Sequence, residues 1–256
     1  MVITSRQNPK AALMRSLMHS RKTRQEAGLF AVEGEKLFRE AVSSGLKPEN
    51  LMLTENYYKS NAKFSEYAAG LCNIDIICDV LAEYISDTRS PQGVFFTLRL
   101  LDKSENIATI YNSPRIIALD NLQDPGNVGA IIRSADAFGI DALMLSGNCA
   151  DIHSPKVIRS AMGSAFRLPM FVGALTELKD KGYVIIGAAI AEDAEPLGSF
   201  GFPEKCAVVI GSEGAGLSTE ARALCDRQVY IPIRNAESLN AAVAAAIIIY
   251  EMEKGE

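Results

Sequence analysis

Histidine is scarce in this sequence, and its scarcity excludes several kinds of catalytic site. Only two histidines occur in 256 residues, His19 and His153. A metal site built from clustered histidines is therefore excluded, and Ser-His or Cys-His catalysis has only two possible bases. The sequence also lacks a GxxxxGKS/T loop, which removes the simplest form of nucleotide hydrolysis. We expect no metal site.

Cysteines, signal sequences and long apolar runs are also limited. The chain has five cysteines, an odd number without a CxxC pair: Cys72, Cys78, Cys149, Cys206 and Cys225. Most lie in apolar surroundings, which predicts reduced core thiols in a cytoplasmic protein. The start, MVITSRQNPK, lacks the apolar core of a signal peptide. The longest apolar run, Ala241 to Tyr250, is about half of what a membrane span needs. We therefore expect no contact with a membrane.

Acidic residues are absent before Glu26, although the formal net charge of the whole chain is −5. That overall charge argues against a protein that coats nucleic acid by bulk electrostatics. The same stretch holds a run of basic residues: Arg6, Lys10, Arg15, Arg21, Lys22 and Arg24. Such a run is commonly an ordinary solvated face, but its position makes it the best electrostatic candidate for contact with a phosphate backbone.

The order of apolar patterns predicts two α/β domains, covering residues 1–105 and 106–256. In the first, the patterns predict helices over 5–20, 35–43 and 61–69 and strands over 29–32, 51–54, 74–78 and 94–98. The stretch 101–114 is ambiguous and contains the boundary. In the second, continuous apolar runs predict strands over 116–119, 142–145, 184–189, 207–210 and 229–231. Such runs are typical of a parallel sheet covered on both faces.

Three segments of the second domain carry the functional signal. In the first, Leu119 to Asp141, a buried strand leads to a turn, and Asn127 is placed at a helix N-cap. The spacing of the apolar residues that follow predicts a helix with one buried side, formed by Val128, Ile131, Ile132, Ala135 and Phe138. Arg133 lies roughly 140° from Val128 at 100° per residue, so it is free to face a cleft.

The second segment, Ala207 to Ser218, is a strand that runs into three glycines. Glycines there let backbone approach a ligand closely. The spacing GxxGxG fits a dinucleotide loop poorly, and only about forty residues remain for the rest of a fold that places this loop after its first strand. In the third segment, Val229 to Glu251, Ser238 is placed at the N-cap of a helix that is apolar on nearly every side. Such a helix must be buried all round, in the domain or against another subunit.

In this order the segments resemble the three motifs of the SPOUT superfamily, in its RNA ribose 2′-O-methyltransferase (TrmH/SpoU) branch. The pattern NxGx(3)Rx(4)FG matches at Asn127, Gly129, Arg133, Phe138 and Gly139, GSEGxGL matches at 211–217, and IPx(5)SLN matches at Ile231, Pro232 and 238–240. The stretch 155–169, PKVIRSAMGSAFRLP, is similar to the family's linking segment. The sequence departs from the usual pattern at Ala241-Ala242 and at Ser160-Ala161, neither of which includes a residue expected to be catalytic.

The resemblance implies a parallel sheet whose C-terminal segment forms a deep trefoil knot, and a homodimer whose site takes residues from both subunits. It also implies S-adenosylmethionine-dependent 2′-O-methylation of structured RNA. The implied cofactor-binding residues are Ile210, Gly211, Glu213, Gly216, Ile231, Ile233, Leu239 and Asn240. The implied catalytic residues are Arg133, Asn127, Glu213, Ser238 and Asn240. Because a guanidinium hardly deprotonates, we expect Arg133 to clamp a phosphate and stabilise the forming alkoxide.

The first domain resembles the small α/β/α RNA-binding module that many of these enzymes carry, which is related to kink-turn-binding ribosomal proteins. RQNPK and the stretch 29–41 carry this resemblance, with Glu33 and Gly34 as the matching turn. The expected RNA-binding residues are Arg6, Lys10, Arg21, Lys22, Lys36 and Arg39. The module favours ribosomal RNA as the substrate over transfer RNA. Two other classes stay open: a non-catalytic RNA-binding or ribosome-assembly protein, and a dehydrogenase that uses the Gly211 loop.

Overall fold

The computed structural model describes residues 2–101, 110–146, 148–191 and 193–254, and these residues divide into two compact units. The first unit comprises Met1–Leu101 and His153–Arg159, and the second comprises Asp102–Ile152 and Ser160–Glu256. The boundary placed between residues 105 and 106 lies outside the described residues. Within the described ranges, no helix is long and apolar enough to cross a membrane.

The first unit is built on a five-stranded sheet. Its strands are β1 (Val2–Ile3), β2 (Leu29–Glu33), β3 (Asn50–Thr54), β4 (Ile74–Ile77) and β5 (Val94–Arg99), arranged in the order β1-β4-β3-β5-β2. Strands β1, β4 and β3 are parallel, whereas β5 is antiparallel to both β3 and β2. The four strands predicted here are confirmed to within one residue at each end.

Helices cover both faces of this sheet. They are α1 (Pro9–His19), α2 (Arg21–Ala27), α3 (Glu35–Ser43), α4 (Glu55–Ser60), α5 (Ala62–Ala69) and α6 (Asp79–Ile85). Met14 of α1 packs in one core with Phe95 of β5. Phe96 points to the opposite face, where Phe38 of α3 packs edge-on against it at 5.1 Å between ring centroids. Helices α1 and α3 therefore lie on opposite sides of the sheet.

The predicted inward side of α1 was partly wrong. The apolar pattern of residues 5–20 predicts that Ala12, Leu13, Leu17 and Met18 lie on one side of the helix. Met14, Leu17 and Met18 are buried, but Ala12 and Leu13 are exposed. The helix contains a continuous apolar run at this point, so the periodicity does not fix which side faces the sheet.

A short segment from later in the chain completes the first unit. Arg159 makes a bidentate ion pair with Asp87, with Nη1 and Nη2 at 2.6 and 2.9 Å from its two carboxylate oxygens. The backbone N–H of Leu101 donates to Nε2 of His153 at 2.9 Å. The same imidazole lies 5.1 Å from the ring of Phe30. His153 is therefore a buried packing residue of the first unit.

The second unit is built on a seven-stranded sheet in which every pairing is parallel. Its strands are β6 (Arg115–Asp120), β7 (Ala142–Ser146), β8 (Met170–Val172), β9 (Val184–Ala188), β10 (Glu195–Pro196), β11 (Cys206–Ile210) and β12 (Arg227–Tyr230). Their order is β10-β12-β9-β11-β6-β7-β8. The parallel sheet is confirmed, and the two short edge strands β8 and β10 were not predicted.

Because the strands are parallel, the carboxyl ends of the neighbours β12, β9, β11 and β6 lie at one edge of the sheet. The remaining helices are α7 (Pro125–Phe138), α8 (Pro155–Ala161), α9 (Ser164–Arg167), α10 (Leu175–Asp180), α11 (Thr219–Leu224) and α12 (Ala241–Glu253), with a 3₁₀ turn at Leu197–Ser199. Most of α8 belongs to the first unit, and the others belong to the second. The loops that follow β6, β11 and β12 belong to the three segments with a functional signal, so all three loops begin at this edge of the sheet. Helix α12 packs against α7.

Candidate active site

The glycine loop after β11 folds back on itself as a small hairpin. Ser212 and Gly216 exchange two backbone hydrogen bonds, at 3.0 and 2.9 Å. Gly216 has φ +66°, a left-handed conformation that favours glycine. A Cβ on Gly211 would lie 2.3 Å from the carbonyl carbon and oxygen of Gly216 and 2.5 Å from the nitrogen of Leu217. Gly211 is therefore required because the returning backbone occupies the space of a side chain.

Asp120, which was not among the predicted site residues, holds the end of this loop. Its carboxylate is 4% exposed, at the carboxyl end of β6. Oδ2 accepts the backbone N–H of Ser218 at 2.7 Å, and Oδ1 accepts from Nδ2 of Asn121 at 3.0 Å. Since buried carboxylates are costly without donors, these bonds fix the loop relative to β6. A polar residue at the end of a predicted buried strand was the signal that could have identified it.

Three of the predicted catalytic residues form a chain of hydrogen bonds. Nδ2 of Asn240 donates to Oδ1 of Asn127 at 2.9 Å, and Nδ2 of Asn127 donates to Oε1 of Glu213. Residues from the start of α7, the glycine loop and the start of α12 are thus brought together. The orientation of the Asn127 amide is set from both sides, because it donates to a carboxylate and accepts from an amide.

Two predicted helix caps were wrong. The N-cap of α7 is Asp124, whose Oδ1 accepts the N–H of Asn127 at 2.9 Å, and Pro125 occupies the first helical position. Asn127 lies inside the first turn, which leaves its side chain free for the polar chain. The N-cap of α12 is Asn240 rather than Ser238, since Oδ1 of Asn240 accepts the N–H groups of Ala242 and Val243 at 2.9 and 3.2 Å.

A cavity of about 460 Å³ opens at the carboxyl ends of β9, β11 and β12. It lies within the size range of small-molecule and cofactor sites. Its wall includes seven of the predicted cofactor-binding residues: Ile210, Gly211, Glu213, Gly216, Ile231, Ile233 and Leu239. Ser238 also contributes to the wall, whereas Asn240 does not. The wall further contains residues that the sequence did not single out, among them Ala188–Ile190, Arg222, Tyr230 and Glu237.

Arg133 lies apart from this cluster. It is exposed on α7, as its angle from Val128 predicts, and it is not part of the cavity wall. Within the described ranges, its guanidinium makes no ion pair or hydrogen bond with another side chain. A single chain therefore does not place Arg133 beside Asn127, Glu213 and Asn240.

An apolar groove of about 420 Å³ lies on the surface of α7 and α12. It is lined by Ala130, Phe138, Ala242, Val243, Ala246, Ile247 and Tyr250. Phe138, expected on the buried side of this helix, is 41% exposed, and its ring lies 5.6 Å from that of Tyr250. Helix α12 is thus not buried all round in this chain, because Val243 and Tyr250 are about half exposed, at 48% and 49%.

The predicted RNA-binding residues occupy both sides of the first sheet. Arg6, Lys10, Arg21 and Lys22 lie at or near α1 and α2, whereas Lys36 and Arg39 lie on α3, across the sheet. Nζ of Lys10 is 2.6 Å from Oδ2 of Asp75. The N–H of Gly34 donates to the carbonyl of Val94 at 2.9 Å, in the turn that precedes α3. The six residues therefore do not form one continuous face.

The basic run also contains residues with structural partners. Arg24 is buried, and its Nη1 donates to the carbonyls of Leu17 and Met18 at 2.6 and 3.3 Å. Arg15 donates to the carbonyl of Tyr84 and stacks on its ring at 4.0 Å. Arg39 stacks on Tyr67 at 5.0 Å, and its Nε lies 2.7 Å from Oε1 of Glu35.

Burial raises the pKa of the Glu35 carboxyl, but hydrogen bonds donated by Tyr57 and Arg39 outweigh this effect and hold that pKa below its ordinary value.

None of the five cysteines, all of which lie in described parts of the chain, forms a disulfide. Burial raises the pKa of the Cys206 and Cys225 thiols to about 11. Among the described residues, no group of three or more His, Cys, Asp or Glu side chains is arranged to hold a metal ion.

Comparisons with known proteins match both halves of the chain. A model described as the SpoU rRNA Methylase family matches residues 114–250, and a model described as an MRM3-like substrate binding domain matches residues 8–95. The 23S rRNA (guanosine(2553)-2′-O)-methyltransferase RlmP of Bacillus subtilis (strain 168) is 34% identical, over 98% of this chain and 98% of its own length.

Two further matches come from Streptomyces viridochromogenes. Its 23S rRNA (uridine(2479)-2′-O)-methyltransferase is 32% identical, over 97% of this chain and 90% of its own length. The crystal structure of the SpoU methyltransferase AviRb in complex with the cofactor AdoMet has a TM-score of 0.85 and 30% identity to this chain. The match covers 97% of this chain and 98% of the AviRb chain.

Proposed function

This chain belongs to the SpoU rRNA methylase family, and on that premise we propose that it transfers a methyl group from S-adenosylmethionine to a ribose 2′-hydroxyl of ribosomal RNA. The observation that carries the proposal is the cavity bounded by the glycine loop and residues 231–239, beside the polar chain Asn240–Asn127–Glu213. The relatives named above act on 23S rRNA, which supports ribosomal over transfer RNA.

The cavity fits S-adenosylmethionine in size and chemistry. The hairpin of Gly211–Gly216 borders the cavity with backbone, so those of its backbone groups that the Ser212–Gly216 pair does not use would bind the adenine edge. Ile210, Ile231, Ile233 and Leu239 would supply apolar surface for the ring, and the polar chain ending at Asn240 would serve the methionine part. When bound, the cofactor supplies an electrophilic methyl group on a sulfonium. The chain's own task is to place the ribose hydroxyl in line with that group.

Arg133 is the residue we assign to the substrate. Its guanidinium stays protonated, so it clamps the phosphate next to the target ribose and stabilises the forming alkoxide, and it does not act as a simple base. The proton of the 2′-hydroxyl would pass to water, and S-adenosylhomocysteine would be the leaving group. Asn127, Glu213 and Asn240 keep one another in fixed orientations, and Ser238 contributes a hydroxyl to the same wall. A Lys at position 133 keeps the charge but loses the two-pronged geometry, so Arg133→Lys should lower kcat strongly.

We propose further that the protein is a homodimer in which Arg133 serves the partner's cavity. The groove on α7 and α12 leaves apolar side chains in water, which a second copy would cover. Arg133 follows Ala130 of that groove by three residues on α7, so the two lie on neighbouring surface of the helix. Dimerisation through the groove would therefore carry Arg133 to the subunit boundary, which accounts for its distance from the polar chain.

In this proposal, the N-terminal half of the chain binds RNA and the C-terminal half transfers the methyl group. Residues 1–105 form the RNA-binding α/β/α domain, in which Arg6, Lys10, Arg21 and Lys22 on one side of the sheet and Lys36 and Arg39 on the other contact separate stretches of the phosphate backbone. Residues 106–256 form the methyltransferase domain, whose C-terminal segment we propose to be threaded as a deep trefoil knot. The family supports the knot, as does the way the loops after β11 and β12 close on one cavity before α12 returns to α7. A dehydrogenase that uses the Gly211 loop has no support from the family.

Methyl transfer is tested with purified protein, labelled S-adenosylmethionine and three substrates: ribosomal RNA, transfer RNA and a deoxyribose analogue of the ribosomal RNA. We expect label in ribosomal RNA alone, in a nuclease-resistant 2′-O-methyl dinucleotide. Label in transfer RNA alone would favour that alternative substrate. Absence of label together with RNA binding would favour a non-catalytic RNA-binding or ribosome-assembly protein.

The dimer is tested by molar mass in solution. Ile247→Asp places a charge in the groove and should give a monomer without methyl transfer. Val172→Asp is the matched control, because Val172 is 70% exposed and lies outside the groove. A wild-type chain that is monomeric at assay concentration would contradict the dimer.

Sharing of the site is tested by mixing subunits that carry Arg133→Lys with subunits that carry Asn240→Ala. Each heterodimer then has one intact and one doubly substituted site. About half of the dimers in a random mixture are heterodimers, so the mixture should recover about a quarter of wild-type activity. A site confined to one chain would recover none.

A further inference from the structure

Among the described residues, the cavity wall contains three charged side chains, of which two are acidic and one is basic. Two of them are acidic, Glu213 in the glycine loop and Glu237 in the segment before α12. Arg222, on α11, is the one basic residue of the wall among the residues that the structure describes. A bound ligand with two positive groups and one negative group would therefore meet complementary charges.

Arg222 is also available for a ligand. The arginines at 115, 167 and 227 form ion pairs with Glu253, Asp136 and Glu195, at 2.8, 2.7 and 2.7 Å. In contrast, Arg222 makes no side-chain ion pair or hydrogen bond within the parts of the second unit that the structure describes. Arg133 and Arg234 share that freedom, but neither belongs to the wall.

The backbone around Arg222 is held in place by the same bonds that hold the glycine loop. Ser218, at the N-cap of α11, donates its N–H to the buried carboxylate of Asp120 at 2.7 Å. Its hydroxyl oxygen accepts the N–H of Ala221 at 3.1 Å. The starting point of the Arg222 side chain is thus fixed relative to Gly216, at the exit of the loop.

S-adenosylmethionine carries a sulfonium, an ammonium and a carboxylate, which mirror the two carboxylates and one guanidinium of the wall. Resting on the proposed function, we propose that Arg222 binds the carboxylate of the methionine part of S-adenosylmethionine. A guanidinium presents paired N–H donors that match a carboxylate, so the contact fixes orientation as well as charge. The acidic residues of the wall then face the positive groups of the same ligand.

The test compares two ligands that differ only in the carboxylate: S-adenosylmethionine and its decarboxylated form, both measured by calorimetry on the full chain. Wild-type protein should bind S-adenosylmethionine about 10- to 100-fold more tightly, the effect of a charge-assisted hydrogen-bond pair. Arg222→Gln should reduce this ratio to about one, by weakening binding of S-adenosylmethionine alone. Arg227→Gln, which removes a positive charge that is paired with Glu195 outside the cavity wall, should leave the ratio unchanged.

Arg222→Lys keeps the charge and should give an intermediate ratio, which provides a second variant if the glutamine substitution fails to fold. Equal weakening of both ligands in Arg222→Gln would overturn the assignment, since Arg222 would then contact a shared part of the ligand. An unchanged ratio would overturn it as well. If wild-type protein binds neither ligand, the proposed function fails and not merely the role of Arg222.

Discussion

Replacing Gly211 with alanine tests how the glycine loop forms the site. The new Cβ would lie 2.3 Å from the carbonyl carbon and oxygen of Gly216, about 1 Å closer than ordinary van der Waals contact. Those atoms belong to the backbone and cannot rotate away. The hairpin must therefore open, and its two hydrogen bonds between Ser212 and Gly216 are weakened or lost.

The expected cost follows from those two bonds. Each contributes about 0.5–1.5 kcal/mol, so their loss removes about 1–3 kcal/mol of unfolding free energy. Alanine returns up to about 1 kcal/mol by restricting the unfolded chain. The net loss of about 1–2 kcal/mol should lower the Tm of the second unit by about 2–8 °C. Because the loop lines the cavity, affinity for S-adenosylmethionine should fall roughly tenfold or more.

Differential scanning calorimetry and ligand titration measure the two effects. Gly214→Ala is the matched control in the same loop, because its Cβ would meet nothing within 4 Å and its φ is not left-handed. That variant should keep the Tm of wild-type protein. The reasoning is refuted if Gly211→Ala and Gly214→Ala melt alike.

Three further predictions follow from single contacts. Asp120→Asn should lower unfolding free energy by about 1–3 kcal/mol in urea titration, because an amide cannot serve both the N–H of Ser218 and its other donors as the carboxylate does; wild-type stability would contradict this. Arg24→Met should lower the Tm without weakening RNA binding, because the Arg24 guanidinium is bonded to backbone carbonyls. Lys22→Met should weaken RNA binding and leave the Tm unchanged. Melting and filter-binding assays measure the two effects. Burial raises the pKa of Tyr183 to about 12, so the folded state keeps its proton while the unfolded chain loses it near pH 10. Unfolding free energy should therefore fall between pH 10 and 12, and Tyr183→Phe should flatten that fall.

The sequence predicted the central strands well because their signal is local. Buried runs such as Ala207–Ile210 are continuous and apolar, so the position of each strand can be predicted from its own residues, and such runs are typical of parallel sheets. The edge strands β8 and β10 are only three and two residues long, and no periodicity can identify so short a run.

The helix caps show where local patterns are ambiguous. The stretch around the start of α7 offers both Asp124 and Asn127 as caps, and only Pro125, at the first helical position, distinguishes them. The segment before α12 likewise offers both Ser238 and Asn240. In both cases the correct cap left Asn127 and Asn240 able to bond to each other, which no pattern within one helix could indicate.

Buried polar residues were missed for a different reason. Asp120 and Ser218 are 98 residues apart in the chain, so their hydrogen bond has no signature in either local sequence. Arg24 was grouped with the other basic residues by charge alone, yet its guanidinium is buried at the end of α1. Composition reveals the charge of a side chain but not whether the fold has donors or acceptors for it.

The first unit is assembled from two separate stretches of the chain, and this has an evolutionary consequence. A gene exchange that transferred only codons 1–101 would leave Asp87 without Arg159 and Leu101 without the imidazole of His153. Shuffling of these modules between relatives must therefore carry the segment His153–Arg159 along, or find a compatible one already present in the recipient. The two halves are consequently expected to be inherited together, with coordinated substitutions at positions 87 and 159.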